Sequence, residues 1–431
     1  MRVRASVVLV ILVAGGVGAG CLAPAEVVEP TAADDLAAAD AALALPTDAY
    51  YTAEGNPSRH GLLVWPYPPF HTLEEIETRI AWINATYPDF VETNVIGFSR
   101  EERPIRQLVV TNEARATGRD GGPKPAPLID AGHHANELAG IEQALYVVEY
   151  LLENRGHPEI ASMLDTLEIH VVPLVNPDGY VRQTRGNALG VNLNRNYDID
   201  WGNPLGASNP VMGRLAETAG RPVPSVIIVG ENCGSAPFSE PEASAMRDLM
   251  ASLDGRLAFY LTMHTPTNGF VGPWSAYAPP FAMESSESAV VETIFDWVRH
   301  NTEYEAGKTQ WGNFSAGLPY SASGSSQDWA YATHHVPAFT FELEIWHLSL
   351  LSKERDAVPR GLPLSYDGLG YWMAASLPVP MYLLANADEL RTWQDPVHEP
   401  PLPDGVPPPL PADRTAWTIP DEAGTYERFH V

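Results

Sequence analysis

The residues most able to do chemistry begin at Gly132-His133-His134-Ala135-Asn136-Glu137. His134 and Glu137 are three apart, so on one helical turn their side chains face the same way. An imidazole nitrogen and a carboxylate oxygen together suit a borderline cation such as zinc. A catalytic ion needs a third ligand and keeps one position open for water, whose pKa it can lower to about 7. His264 is the candidate, because it ends the apolar run Leu257 to Met263 and α/β sheets gather their sites at strand ends. These three residues, His134, Glu137 and His264, could together hold one zinc ion. Glu342 lies in the apolar stretch Phe339-Thr-Phe-Glu-Leu343. A carboxylate is costly to bury there without a partner or a use, and it could take the proton of an activated water. Each signal has a plain alternative. A His-x-x-Glu spacing arises by chance, a strand-end His is often structural, and Glu342 could belong to a buried ion pair. His133, His170, His334 and His335 read as packed or loop residues rather than ligands.

These residues need elements to hold them. Leu128-Ile129-Asp130-Ala131 is a short apolar run leading into the Gly-His-His turn. Ile141, Ala144, Leu145, Val148, Leu151 and Leu152 follow helical spacing. Leu167 to Val175 is rich in strand formers and ends at Asn176-Pro-Asp-Gly179, a strong turn signal. Further strands are expected at 224–229, 257–263 and 337–343. Strands alternating with long helices predict an α/β sheet covered by helices on both faces.

The chain has 431 residues, 26 Lys and Arg against 54 Asp and Glu, and a formal net charge of −28. That balance argues against nucleic-acid partners, which are gripped by clustered Lys and Arg. Two cysteines exclude a disulfide scaffold and multi-Cys zinc ribbons. Arg2 and Arg4 precede sixteen uncharged residues, 5–20, which are short for a membrane span and suited to an export signal. Gly-Ala-Gly-Cys21 resembles a bacterial lipoprotein cleavage box. The expected outcome is export, with either a lipid anchor at Cys21 in the cell envelope or release from it. Residues 22–58 read as a tether, 59–393 as the catalytic domain and 394–431 as an extended tail. That tail has eight prolines in the sixteen positions 396–411, so it is not expected to join the core.

Further segments accompany the His and Glu residues in order: Arg182-Gln-Thr-Arg185, Gly190-Val-Asn-Leu-Asn194-Arg195-Asn196, Ser239-Glu-Pro-Glu242, Tyr320 through Trp329, and Phe339 to Leu343. In this order the chain resembles the zinc carboxypeptidases of the A, B and T type over about residues 66 to 390. The resemblance implies a mixed, mostly eight-stranded sheet between helices. It implies that His134, Glu137 and His264 bind zinc and that Glu342 is the general base. Arg182 would stabilise the oxyanion, and Asn194 and Arg195 would hold the substrate's terminal carboxylate. Tyr320 would close over the substrate, and Gln327 would sit at the floor of the side-chain pocket. The substrate implied is a peptide with a free C-terminal carboxylate, handled by a monomer. Rival readings are a peptidase of cell-wall peptides with the same chemistry and a non-catalytic binding protein on the same scaffold.

Two departures stand out. Asn192 occupies the place where the family usually has an Asp that accepts a hydrogen bond from the first His ligand. Asn accepts the bond but brings no charge, so Asn192→Asp is expected to tighten zinc. The chain between Asn196 and Ser239 is also longer than in the animal enzymes and is expected to form a loop near the site mouth. Gln327 is neutral and polar, which favours polar or mixed C-terminal residues. Glu344 falls on the same strand face as Glu342 and could add negative charge to the pocket.

Overall fold

The structure is a computed structural model. It describes residues 70–220, 231–265, 269–302, 304–308, 321–343 and 373–402, and the backbone of 417–420 and 426–429. The export signal, Cys21, the tether, the strand expected at 224–229, Tyr320 and Glu344 lie outside the described residues.

Eight strands form one mixed sheet: β1 (Val91–Phe98), β2 (Pro104–Val110), β3 (Ala126–Ala131), β4 (Ile169–Val172), β7 (Leu257–His264), β8 (Gly269–Gly272), β9 (Glu305–Lys308) and β10 (Ala338–Glu342). Their order is β1-β2-β4-β3-β7-β10-β8-β9. The centre, β4-β3-β7-β10, is parallel, while β1, β2 and β8 pair antiparallel to their inner neighbours. β5 (Ser208–Asn209) and β6 (Glu231–Asn232) make a separate two-stranded parallel pair, and β11 (Trp417–Pro420) pairs antiparallel with β12 (Tyr426–Phe429). The helices are α1 (Leu73–Thr86), α2 (Leu138–Glu153), α3 (Pro158–Thr166), α4 (Pro177–Arg182), α5 (Pro210–Ala219), α6 (Pro241–Ser252), α7 (Ser285–Asn301), α8 (Ser326–His334), α9 (Pro378–Ala385) and α10 (Ala387–Leu390).

Period-two alternation divides the central strands between two apolar clusters. Phe259, Leu261, Met263, Phe339 and Phe341 join a cluster with Ile76, Ile80 and Ile83 of α1, Leu145 and Val148 of α2, Ile294 of α7 and Met381 of α9. Tyr260 and Ala338 join a second cluster with Met246 and Met250 of α6 and Tyr331 of α8. By the same alternation Thr262, His264, Thr340 and Glu342 point to the second face. The sheet is thus sandwiched between helices, as expected, and its polar residues gather at one end of one face. Each fully buried Leu, Phe or Met contributes about 1.5–3 kcal/mol towards holding those strand ends in place.

Local chemistry sets the elements near the site. Gly132 follows β3 at φ +74°, a conformation that β-carbons disfavour. Gly140 lets α2 lie against β7, since a Cβ there would sit 2.9 Å from the Met263 carbonyl oxygen. α1 starts at a full capping box: the Thr72 hydroxyl accepts from the Glu75 N–H and the Glu75 carboxylate accepts from the Thr72 N–H.

The C-terminal segment differs from expectation. Residues 395–402 form no helix or strand, yet they are fastened to the body. The Asn386 side-chain oxygen accepts from the Val397 and His398 N–H groups. Tyr150 donates to the Pro401 carbonyl, and Leu402 packs on the first cluster. Proline bars a helix there but does not bar docking through carbonyls and apolar rings.

Candidate metal centre and active site

His134 and Glu137 come together on a turn, not on a helix. The Glu137 N–H donates to the His134 carbonyl, and α2 begins only at Leu138 with Glu137 as its N-cap. The three-residue spacing still puts the side chains together, with His134 Nδ1 2.9 Å from Glu137 Oε1. His264, the last residue of β7, places Nδ1 2.8 Å from Glu137 Oε2 and 3.0 Å from His134 Nδ1. All three are buried, and their ligand atoms lie within 4.8 Å of one another. Two imidazole nitrogens and a carboxylate oxygen suit zinc. His134 donates Nε2–H to the Asn192 side-chain oxygen at 2.8 Å, which leaves the Nδ1 lone pair facing the cluster. These residues therefore fit the ion that the sequence implied.

The charges are arranged for a cation. Burial, with Arg185 nearby, pushes the His134 imidazole down to about 3, so it stays neutral. Burial acts to raise Glu137, but the two imidazoles beside it hold it well below the usual carboxylate range. Burial acts to lower His264, and the charge and hydrogen bond of Glu137 overcome this and raise it. Ligands must be deprotonated to bind metal, so acid competes with the ion here.

Glu342 ends β10 and is buried. The parallel register sets it opposite His264. Asn194 and Arg195 are buried in a short turn of 3₁₀ helix, Leu193–Arg195. The Asn194 side-chain oxygen accepts from the Ser326 N–H, and its amide nitrogen lies 3.3 Å from His264 Nε2. Arg195 Nη1 donates to the Asn194 carbonyl, and Nη2 lies 3.4 Å from Glu231. Gln327 is buried on α8; its amide nitrogen donates to Ser275 Oγ at 2.5 Å, and its oxygen accepts from the Thr340 hydroxyl.

Arg182 is placed elsewhere. It ends α4, is 38% exposed, and pairs with Glu101 in a surface network that also holds Arg103 and Asp178. Gln183 then turns the chain at φ +60°, and Arg185 is the arginine that enters the site. Arg185 Nη1 donates to Glu137 Oε1 at 2.6 Å, and Nε donates to Glu231 at 3.1 Å. The four-residue motif held both arginines, and the spacing alone did not say which one turns inward. Glu231, on β6, was also missed. It lies in the long stretch between Asn196 and Ser239, where no motif points to it.

The four other histidines weighed in the sequence lie outside the cluster, each against its own partners. His133 lies between Asp130, at 3.2 Å, and the Tyr197 hydroxyl, at 2.8 Å. His170 bonds Gln107 and Glu168. His334 and His335 face Asp254 and Glu287. Cys233 is a buried free thiol.

A family model for zinc carboxypeptidase matches residues 76–347. The chain belongs to the zinc carboxypeptidase family. It is 30% identical to Mus musculus carboxypeptidase A2 over 291 residues, 64% of this chain and 62% of that protein. It is 29% identical to Bos taurus carboxypeptidase B over 296 residues, 64% of this chain and 63% of the relative. The match thus spans less than two thirds of the length of these curated relatives. In fold it is similar to thrombin-activatable fibrinolysis inhibitor, with TM-score 0.56, 23% identity and 75% of each chain covered. It is also similar to the Helicoverpa armigera carboxypeptidase A, with TM-score 0.55, 22% identity, and 74% of this chain and 75% of that chain covered. The family's eight-stranded architecture and its His-Glu-His metal set are both present.

Proposed function

We propose that this chain is a zinc-dependent carboxypeptidase that removes one residue from a peptide with a free C-terminal carboxylate. One observation carries the reading: Glu342 lies in register beside His264, on the strand next to a buried two-His, one-Glu cluster. Zinc held by His134, Glu137 and His264 would supply Lewis-acid polarisation of the scissile carbonyl and of the attacking water. Glu342 takes a proton from that water as its oxygen bonds to the carbonyl carbon. The same carboxyl then gives the proton to the leaving nitrogen as the C–N bond breaks. Arg185, always charged and already beside Glu137, is the donor for the developing oxyanion. This is the role the family resemblance had implied for Arg182. Arg195, whose guanidinium can grip a carboxylate through two parallel bonds, and Asn194 hold the substrate terminus. Gln327, held between Ser275 and Thr340, is the residue at the floor of the side-chain pocket in this reading, so polar or mixed C-terminal residues are favoured over strongly basic ones. Export with lipid attachment at Cys21 belongs to the same reading. Loss of membrane-fraction protein in a Cys21→Ala variant tests that part.

The test pairs zinc content with turnover of N-blocked dipeptides. Hydrolysis of the free acid, loss of it on chelation and recovery with zinc are the expected results. Equal cleavage of the C-terminal amide would remove the exopeptidase assignment. Preferential cleavage of muropeptides would move the substrate to the cell wall without changing the chemistry.

A further inference from the structure

The long stretch between Asn196 and Ser239 has more structure than a loop at the site mouth. It contains α5 and the paired strands β5 and β6, with Ser208 opposite Glu231. β6 is tied to the site's own loop, because the Asn192 N–H donates to the Asn232 carbonyl at 2.8 Å. The pairing sets Glu231 against three side chains of the site. Its Oε2 accepts from the Asn192 amide nitrogen at 2.6 Å and lies 3.4 Å from Arg195 Nη2. Its Oε1 accepts from Arg185 Nε at 3.1 Å. The carboxylate is nearly buried, with 13% of its side chain exposed. Burial acts to raise it, but Arg185 and Arg195 bring it down to about 2, so it carries a full charge at neutral pH.

We propose that Glu231 is a positioning residue of the metal site, acting on His134 through Asn192 in place of a carboxylate bonded directly to the imidazole. The hydrogen bonds run in one direction. His134 Nε2–H donates to Asn192 Oδ1, and Asn192 Nδ2–H donates to Glu231. An amide that donates to a carboxylate becomes a better acceptor at its oxygen, because the bonds polarise one another. The carboxylate also fixes which way the amide faces. A flipped Asn192 would turn its N–H towards the imidazole and its oxygen towards Glu231, two mismatches at once. The same carboxylate aligns the guanidinium groups of Arg185 and Arg195, so one anion orders both the metal ligand and the substrate grip.

This changes the meaning of Asn192. Taken alone, an uncharged residue in the Asp position looks like weakened support, and Asp should tighten zinc. With Glu231 2.6 Å away, an Asp would set two carboxylates against each other, and like charges at that distance disfavour both ionising. Asn192 is therefore the residue that Glu231 requires. The negative charge stands one side chain further out, on β6.

The inference rests on the zinc-site reading above, and the experiment separates the two. Zinc affinity is measured by chelator competition on the wild type, Glu231→Gln, Asn192→Asp and the double variant, with folding followed by thermal melting. Changing the hydrogen-bond partner that orients a metal ligand alters metal affinity by about 10–100-fold. Glu231→Gln, which keeps the shape and removes the charge, is expected to weaken zinc about 10-fold and to raise KM. Asn192→Asp alone is expected to weaken it too. The double variant returns the charge to a single carboxylate and is expected to regain affinity to within about threefold of wild type. A purely structural role would make the two losses add. Additive losses, tighter zinc in Asn192→Asp alone, or no affinity change in Glu231→Gln would each overturn the proposal. If the charge variants misfold, Glu231→Asp provides the second reading, since it keeps the charge and must bind zinc more tightly than a folded Glu231→Asn. Absence of zinc binding by the wild type would defeat the zinc-site reading itself, and this inference with it.

Discussion

The two halves of the site are built on different principles. His134, Glu137, His264 and Glu342 stand at or just beyond the ends of β3, β7 and β10, which are neighbours in the parallel centre of the sheet. Backbone ladders set the spacing of His264 and Glu342, the turn that follows β3 brings in His134 and Glu137, and apolar clusters on both faces hold the ladders. Arg185, Asn192, Asn194, Arg195 and Glu231 stand on turns and on a two-residue strand outside that sheet. Hydrogen bonds made by polar side chains, to one another and to the backbone N–H of Ser326, set their spacing. A ladder fixes side-chain direction by period two, whereas a turn fixes it only through the partners it finds. The proposed base and one proposed zinc ligand therefore stand directly on ladders, and the groups proposed to hold the oxyanion and the substrate terminus stand on turns.

Removing one group from each half tests that division. Glu342→Gln keeps the strand and its register but loses the proton acceptor. A drop in kcat of about 10²–10⁴ is expected, with zinc stoichiometry unchanged. Steady-state kinetics with metal analysis would contradict the assigned base if turnover survived. In the loop half, Arg185→Lys keeps a positive charge but not the guanidinium fork. Loss of an oxyanion donor costs about 3–4 kcal/mol, or 10²–10³ in kcat. Arg182→Lys should leave kcat within about twofold, since its partner is Glu101 on the surface. The reverse result would return the role to Arg182.

The same division accounts for what was legible in the chain. The sheet class, the strands at 257–263 and 337–343 and the helix through Ile141 to Leu152 follow from apolar periodicity, and the structure places them at 257–264, 338–342 and 138–153. His264 and Glu342 could be read because each ends an apolar run, and a polar residue at that point must meet something. Arg182 and Arg185 could not be separated in that way. They lie on either side of the left-handed turn at Gln183, and no periodicity crosses such a turn. Glu231 gave no local signal at all. Its importance comes from β5 and β6 folding back on Asn192, a contact between residues 39 apart. At residues 395–402 composition excluded helix but not docking through Asn386 and Tyr150.

Acidity bears on the support beneath the loop half. Asn187 holds the turn that leads to Asn192, accepting from the N–H groups of Leu189 and Val191. Its amide nitrogen donates to Glu240 at 2.7 Å and reaches Glu242 at 3.2 Å. Burial raises Glu242 to about 7 from its usual 4.5. An acid whose folded pKa is raised favours folding fully below its unfolded value, and that contribution is lost as pH rises towards the folded value. Between pH 4.5 and 7, Glu242 should therefore withdraw up to about 3 kcal/mol of stability. Glu242→Gln should flatten that part of the profile. Denaturant titrations at pH 5 and 7 measure the difference, and an unchanged slope in the variant would remove Glu242 as its source.

The smallest effect tests whether the ladder half is insulated from its own scaffold. α1 packs on the apolar cluster behind the sheet, on the face opposite Glu342, and begins at the Thr72–Glu75 capping box. Thr72→Ala leaves the Glu75 N–H without its side-chain acceptor and removes the hydroxyl bonded to the Glu75 carboxylate. Such a loss costs about 1 kcal/mol. If the ladders alone position His264 and Glu342, the penalty should show in the melting temperature and leave kcat and KM unchanged. If kcat fell with stability, helix packing on the far face would be helping to set the geometry of the reacting groups. The two halves would then differ in degree of support rather than in kind.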